Sequence, residues 1–241
     1  METYLLICAV IFFAGFTQGL SGFGSILLAI PLLAMFLDIK TVIPLTAVMG
    51  LTMTTVLLIQ LWNHLAWKKI LPFLIGTLPG IPLGVFFLKK MDKSMVQLIL
   101  GILLIAYSVY SLLSRRLPKG TRKGWGYLFG FLGGCLGGAF SASGPAVIVY
   151  ASLQDWPKDR IKASLQGMFF VSGSIVVLFY MLNGLITTVV LKYFGVSFPA
   201  LLLGTYVGAL CYGKINDVQY KKVMFILLGL LGAFLIYRAR I

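Results

Sequence analysis

Acidic side chains are scarce: six Asp and Glu stand against 20 Lys and Arg, and all six (Glu2, Asp38, Asp92, Asp155, Asp159, Asp217) fall near the ends of apolar runs. A carboxylate relay at membrane depth, the usual mark of a proton pump, is therefore not visible. Histidine occurs once, as His64 in the short connection Asn63 to Lys69, which reads as an interfacial residue between Trp62 and Trp67. The turn Ser141-Ala142-Ser143-Gly144 accordingly lacks the membrane-depth base that an intramembrane serine hydrolase needs, and no enzymatic activity is expected. Cys8, Cys135 and Cys211 are the only cysteines, far apart and embedded in apolar sequence. Neither a disulfide framework nor a metal motif follows, and no redox or metal cofactor is implied.

Polar surface is also in short supply. With 60% hydrophobic residues, 11% charged residues and a mean hydropathy of +1.00, the chain cannot cover a water-soluble domain of 241 residues. Its apolar runs are mostly long enough for helices across a hydrocarbon core, which takes about 20 residues, and the weak two-residue alternation argues against a barrel. The fold class expected is all-α and integral to the membrane. The excess of positive charge, +14 in all, sits in short clusters between apolar runs such as Lys68-Lys69, Lys89-Lys90 and Arg115-Arg116. These read as membrane-flanking anchors that meet anionic lipid, and no separate basic domain points to nucleic acid. The N-terminal run lacks a basic leader and a small-residue cleavage site, so it is taken as the first membrane segment.

Eight apolar segments are expected, near 4–37, 42–62, 70–88, 95–113, 126–152, 163–183, 186–212 and 219–237. They divide into two repeats of four, residues 1–113 and 125–241, around a basic linker at 114–124. The repeat is carried by GFTQGLSGFGS from Gly15, which returns 119 residues later as GCLGGAFSASG from Gly134. After a five-residue slip, the stretch Pro79 to Gly84 matches Leu203 to Gly208. Segments 4–37 and 126–152 are too glycine-rich for plain spans, since each Gly costs roughly 1 kcal/mol relative to Ala in a helix. Both are expected to be broken or re-entrant, with Gly15, Gly19, Gly22 and Gly24 in the first, Gly133, Gly134, Gly137 and Gly138 in the second, and Pro145 in the first turn of the restarted helix.

Charge separates two topologies. If all eight segments cross fully, Lys and Arg divide ten and ten, and neither orientation is preferred. If the first and fifth are re-entrant, each half crosses three times and the halves become inverted repeats. Lys68, Lys69, the five linker charges, Lys158, Arg160, Lys162, Lys214, Lys221 and Lys222 then share one side, leaving seven opposite. The positive-inside rule leans to this second arrangement, with the linker cytoplasmic.

Interrupted helices expose unpaired N–H groups and a partial positive charge where they restart, which suits an anion. Ser21, Ser25, Ser141 and Ser143 add hydroxyls, and the glycines let a solute reach the backbone; Gln18 and Gln166 are further polar candidates in apolar surroundings. Close helix packing through small residues is the competing account of the same glycines. Gly80 with Gly84 and Gly204 with Gly208 suit a homodimer or internal packing equally.

The motifs GFTQGLSGFGSILLAIPLL from Gly15, PLTAVMGLT from Pro44, GTLPGIPLG from Gly76 and GGAFSASGPAVIVY from Gly137 resemble the TauE/SafE family of bacterial membrane proteins over nearly the whole chain. The resemblance implies a bacterial inner-membrane carrier of small anions, with sulfite, sulfoacetate and related organosulfonates as first candidates. It places the solute at Gly22-Phe23-Gly24-Ser25 and Ser141-Ala142-Ser143-Gly144. The expected mechanism is alternating access at a site between the two breaks; a membrane assembly protein without transport and an anion channel are the alternatives.

Overall fold

Each of the two glycine-rich stretches folds as two helices, while each of the other apolar runs forms one. In chain order the computed structural model contains α1 (Glu2–Ser21), α2 (Ser25–Ala34), α3 (Ile39–Leu61) with a 3-10 turn Trp62–His64, α4 (Trp67–Lys90), α5 (Lys93–Leu113), α6 (Trp125–Phe140), α7 (Gly144–Ser152), α8 (Lys158–Leu182), α9 (Thr188–Leu210) and α10 (Asp217–Ala239). It describes residues 2–65, 67–113, 124–154, 156–211 and 217–240. Seven of these helices, α1, α3, α4, α5, α8, α9 and α10, are long and apolar enough to cross a membrane. The linker charges, Asp155 and Lys214 lie outside the described residues, as do the side chains of His64, Lys158, Asp159, Asp217 and Lys221.

Helix directions follow from which residues meet. Phe12 packs on Gly204 and Phe16 on Gly208, so α1 and α9 run parallel; Phe131 on Gly80 and Cys135 on Gly84 make α6 and α4 parallel in the same way. By contrast Gly101 meets Gly232 while Ser108 Oγ donates to Phe225 O, so α5 and α10 are antiparallel. Helices α3 and α8 are antiparallel too, with Leu51 beside Gly173 and Leu65 beside Gly167. Ile26 packs on Gly50 just after a tight turn from Ala34 to Ile39, which makes α2 run back against α3. The first hairpin therefore enters and returns on one side, and the second, α6 with α7, does so on the other.

Ties at the two ends agree with this arrangement. Tyr150 Oη donates to Lys69 O at the end that carries the linker. At the opposite end, where both termini lie, Asp38 pairs with Lys93, Lys89 Nζ donates to Asn183 Oδ1 (3.2 Å) and the Arg238 guanidinium donates to Ala34 O. Asp38 also caps α3 by accepting from Lys40 N (2.9 Å). Burial works to raise its pKa, but the Lys93 hydrogen bond, the Lys40 N–H and both ammonium charges outweigh this and hold the carboxyl below its ordinary value.

In lipid the association of apolar helices relies on close packing rather than water exclusion, and small residues permit it. A Cβ at Gly80, Gly84, Gly204 or Gly208 would run into the backbone of the facing helix. The same is true of Gly15, Gly19, Gly134 and Gly138. This corrects one expectation: Gly15, Gly19, Gly133, Gly134, Gly137 and Gly138 lie inside unbroken α1 and α6, and most of them let α1 and α6 press against α9 and α4. Large apolar side chains such as Leu5, Phe13, Ile59, Leu113, Leu182 and Leu230 point outward, as a hydrocarbon environment requires.

Candidate functional site

The breaks themselves span three residues each and sit 119 residues apart at both edges: Ser21 and Phe140 end the first helices, Ser25 and Gly144 start the second. In the first, Gly22 N donates to Gln18 O (2.7 Å), and Gly22 and Gly24 take φ values of 80° and 89°, a left-handed conformation that glycine adopts without penalty. In the second, Ser141 N donates to Gly137 O (2.8 Å) and Ala142 N to Leu136 O (3.3 Å), closing α6. Ser141 stands where Gly22 stands in the first break and shares its left-handed backbone, with φ 55°. Pro145 occupies the first turn of α7, where it forgoes no hydrogen bond.

One cavity lies between the hairpins and the middles of α3 and α8. It is lined by Gln18, Phe23, Gly24, Ser25, Ser141, Ala142, Ser143 and Gly144 from the breaks, by Thr54 and Leu51 from α3, and by Phe169, Ser172 and Val176 from α8, among others. Ser21, Gly22 and Gln166, also singled out in the sequence, are not on its wall. The breaks do not touch tip to tip. Along α8 the first is flanked by Lys162 and Gln166 and the second by Val176 and Tyr180, at least ten residues or roughly 15 Å further on. The hairpins overlap in depth, so the first break stands between the cavity and the linker side, and the second stands between the cavity and the side of the termini.

Two hydrogen-bonded clusters hold these positions. Around the first break, Ser25 Oγ donates to Gln18 Oε1 (2.7 Å), Gln18 Nε2 to Gln166 Oε1 (3.4 Å), and Gln166 Nε2 to Gly22 O (2.8 Å). Ser21 Oγ turns away, donating to Thr17 O and Phe23 O (both 2.8 Å). Around the second, Ser141 Oγ donates to Ile43 O (3.0 Å), and the fully buried Tyr180 donates its hydroxyl to Gly138 O (2.9 Å). The first turns of α2 and α7 meet the cavity wall through Gly24 to Leu27 and through Gly144. No Asp, Glu, Lys, Arg or His side chain lines the cavity among the described residues. Hydroxyls, the Gln18 amide and the starts of two helices line it, an uncharged set that is poor for a metal ion. Among the described residues no cluster of His, Cys, Asp and Glu offers a metal site.

With this geometry in place, comparison with known proteins is decisive. The pattern of the sulfite exporter TauE/SafE family matches residues 7–235. The chain belongs to that family. It is similar to the probable sulfite/organosulfonate exporter TauE of Cupriavidus necator, with 26% identity over 182 residues, 73% of this chain and 71% of that protein. No solved structure matches it. Family and helices together make this a multi-pass membrane protein of a transporter family, which in bacteria lies in the inner membrane.

Tyr180, Phe169 and Ser172 escaped the sequence reading, and Lys162 entered it only as a charge on the linker side. For Lys162 a signal existed: it lies one helical turn before Gln166, and 119 residues after Ile43 in the register of the breaks. Tyr180 gave no comparable signal, since an aromatic residue in an apolar segment is ordinary.

Proposed function

We propose that this TauE/SafE member is a secondary carrier of a small oxyanion, sulfite or an organosulfonate such as sulfoacetate, working by alternating access at the cavity between the two breaks. The repeats, residues 1–113 and 125–241, are the units whose relative movement opens each side in turn. The observation that carries this reading is that two oppositely inserted hairpins bring the N-termini of α2 and α7 to one cavity lined with hydroxyls. Each helix N-terminus presents roughly half a positive charge, so the pair compensates an anion without a buried cation. Hydroxyls that now donate to helix carbonyls, such as Ser141 to Ile43 O, rotate to donate to the solute. By the positive-inside rule the linker side, with Lys68, Lys69, Arg160, Lys162 and Lys222, is cytoplasmic.

Helix packing alone accounts for the glycines that face α4 and α9. It leaves the polar wall of the cavity unexplained. The test is uptake of labelled sulfite into proteoliposomes by the wild-type protein and by Ser143→Leu, which fills the cavity from its rim. Saturable uptake that the variant loses, with its folded yield unchanged, is the expected result. Flux that never saturates points to a channel, and equal uptake by both proteins refutes the assignment of the site.

A further inference from the structure

A second cavity lies away from the breaks, where α4 and α8 run side by side toward the end that carries the termini. Its volume is about 390 Å³, within the range of roughly 300–1,000 Å³ usual for ligand pockets. Two helix faces build its wall: Pro82, Val85 and Phe86 lie one to two turns before Lys89 on α4, and Phe179 lies one turn before Asn183 on α8. Apolar side chains thus line the part at membrane depth, whereas Lys89, Lys90 and Asn183 stand at the C-terminal ends of the two helices. Lys89 Nζ donates to Asn183 Oδ1 at 3.2 Å, and the Lys90 ammonium sits 4.3 Å from the centre of the Phe86 ring. Asn183 Nδ2 in turn donates to Phe179 O (2.8 Å), which fixes its amide at the mouth of the groove. Among the described residues the one ion pair joins Lys93 to Asp38, so neither ammonium at this groove meets a carboxylate.

Lysines that merely anchor a helix extend their ammonium groups into the headgroup region and need no groove. Here two of them converge on the mouth of one, and the apolar floor begins directly below them. The complement of the mouth is a phosphate, and the complement of the floor is an acyl chain. A free anion lacks the chain, and a zwitterionic lipid lacks the net charge. We propose that the groove between α4 and α8 is a binding site for one anionic phospholipid, its phosphate held by Lys89 and Lys90 beside the Asn183 amide and one acyl chain laid along Pro82, Val85, Phe86 and Phe179. Val85 backs onto Gly138, and Tyr180, next to Phe179 in the chain, donates to Gly138 O, so the bound lipid braces the two helices that pack behind the second break. The inference does not depend on which solute the central cavity carries.

The plain alternative is that Lys89 and Lys90 only suit the carbonyl end of α4 and add to the general surface charge, in which case any lysine pair attracts anionic lipid alike. Lys68 and Lys69, at the opposite end of the same helix, line neither cavity and supply the comparison. The double variants Lys89→Gln/Lys90→Gln and Lys68→Gln/Lys69→Gln remove equal charge from the full-length protein. Each purified protein is titrated in detergent with dioleoyl phosphatidylglycerol, and native mass spectrometry and the rise in melting temperature give the stoichiometry and an apparent Kd. Dioleoyl phosphatidylcholine and inorganic phosphate are titrated in parallel. The wild-type protein should bind one phosphatidylglycerol saturably, and the Kd should rise about thirtyfold in the Lys89/Lys90 variant, about fivefold for each lysine. The Lys68/Lys69 variant should stay within about threefold of wild type, and phosphatidylcholine and phosphate should each bind at least about tenfold more weakly than phosphatidylglycerol. Equal losses in the two double variants overturn the proposal in favour of general surface charge. Phosphatidylcholine binding as tightly as phosphatidylglycerol overturns the role of the two ammoniums, and inorganic phosphate binding as tightly assigns the groove to a free anion instead of a lipid.

Discussion

Ser141 offers a prediction in which the usual order of glycine and alanine reverses. It holds a left-handed backbone, φ 55° and ψ 12°, at the position where the first break has Gly22. For a residue with a side chain this conformation costs roughly 1–2 kcal/mol. The hydroxyl returns part of that through its bond to Ile43 O, worth about 0.5–1.5 kcal/mol. Ile43 O also accepts from Thr46 Oγ1 at 2.9 Å, so removing the serine hydroxyl leaves no orphaned carbonyl. Ser141→Ala loses the bond and keeps the strain, and should be less stable by about 1 kcal/mol. Ser141→Gly loses the same bond but relieves the strain, against roughly 0.5–1 kcal/mol for the greater freedom of glycine in the unfolded chain. It should therefore lie near wild type and about 1 kcal/mol above the alanine variant. Thermal unfolding in detergent reads this as roughly 2–4 °C for a chain of this size. An alanine variant as stable as the glycine variant, or more so, refutes the reasoning, because it would mean that Ser141 carries no backbone strain.

Other expectations follow from the same geometry. Gly80→Leu and Gly204→Leu force a side chain into the backbone of Phe131 and Phe12, and should abolish the yield of folded protein, whereas Gly195→Ala, with nothing within 4 Å of a new Cβ, should be recovered as wild type by size-exclusion chromatography. Gln166→Leu removes the stronger of two amides on Gly22 O, which keeps Gln18 Nε2 at 3.4 Å, and should lower the melting temperature by an amount equivalent to about 0.5–1.5 kcal/mol; an unchanged melting temperature would show that the link from α8 to the first break contributes nothing to stability. Asp38 has a lowered folded pKa, so the stability it confers is present above the ordinary carboxylate range and is lost as pH falls through that lowered value. Asp38→Asn retains the helix cap, and its melting-temperature deficit at pH 7 should shrink below about pH 4; a deficit independent of pH would exclude the ion pair with Lys93 as its source.

Much of the architecture was legible because membrane insertion leaves few options: long apolar runs become helices, and the registered motifs from Gly15 and Gly134 mark where two of them break. The position of the break within each motif was not legible. Glycine at Gly15, Gly19, Gly134 and Gly138 serves close approach to α9 or α4, whereas at Gly22 and Gly24 it serves the left-handed turn, and composition alone does not distinguish these uses. Serine at 141 concealed the equivalent turn, since a left-handed serine has no sequence signature. Gln18 was recognisable as a polar residue in apolar sequence, and it reaches the cavity wall; Gln166 was recognisable on the same ground but acts behind that wall, bound to Gly22 O. Lys162 was grouped with the linker-side loop because helix ends in sequence are uncertain by about a turn. That one turn places its side chain over the first break.

Counterflow tests the central claim most directly. Proteoliposomes are loaded with sulfite, sulfoacetate, sulfate, acetate or nothing, and uptake of labelled sulfoacetate is followed from outside. The account predicts protein-dependent uptake that internal sulfite or sulfoacetate accelerates and that acetate does not. Uptake indifferent to every load, or no protein-dependent uptake at all, would contradict it.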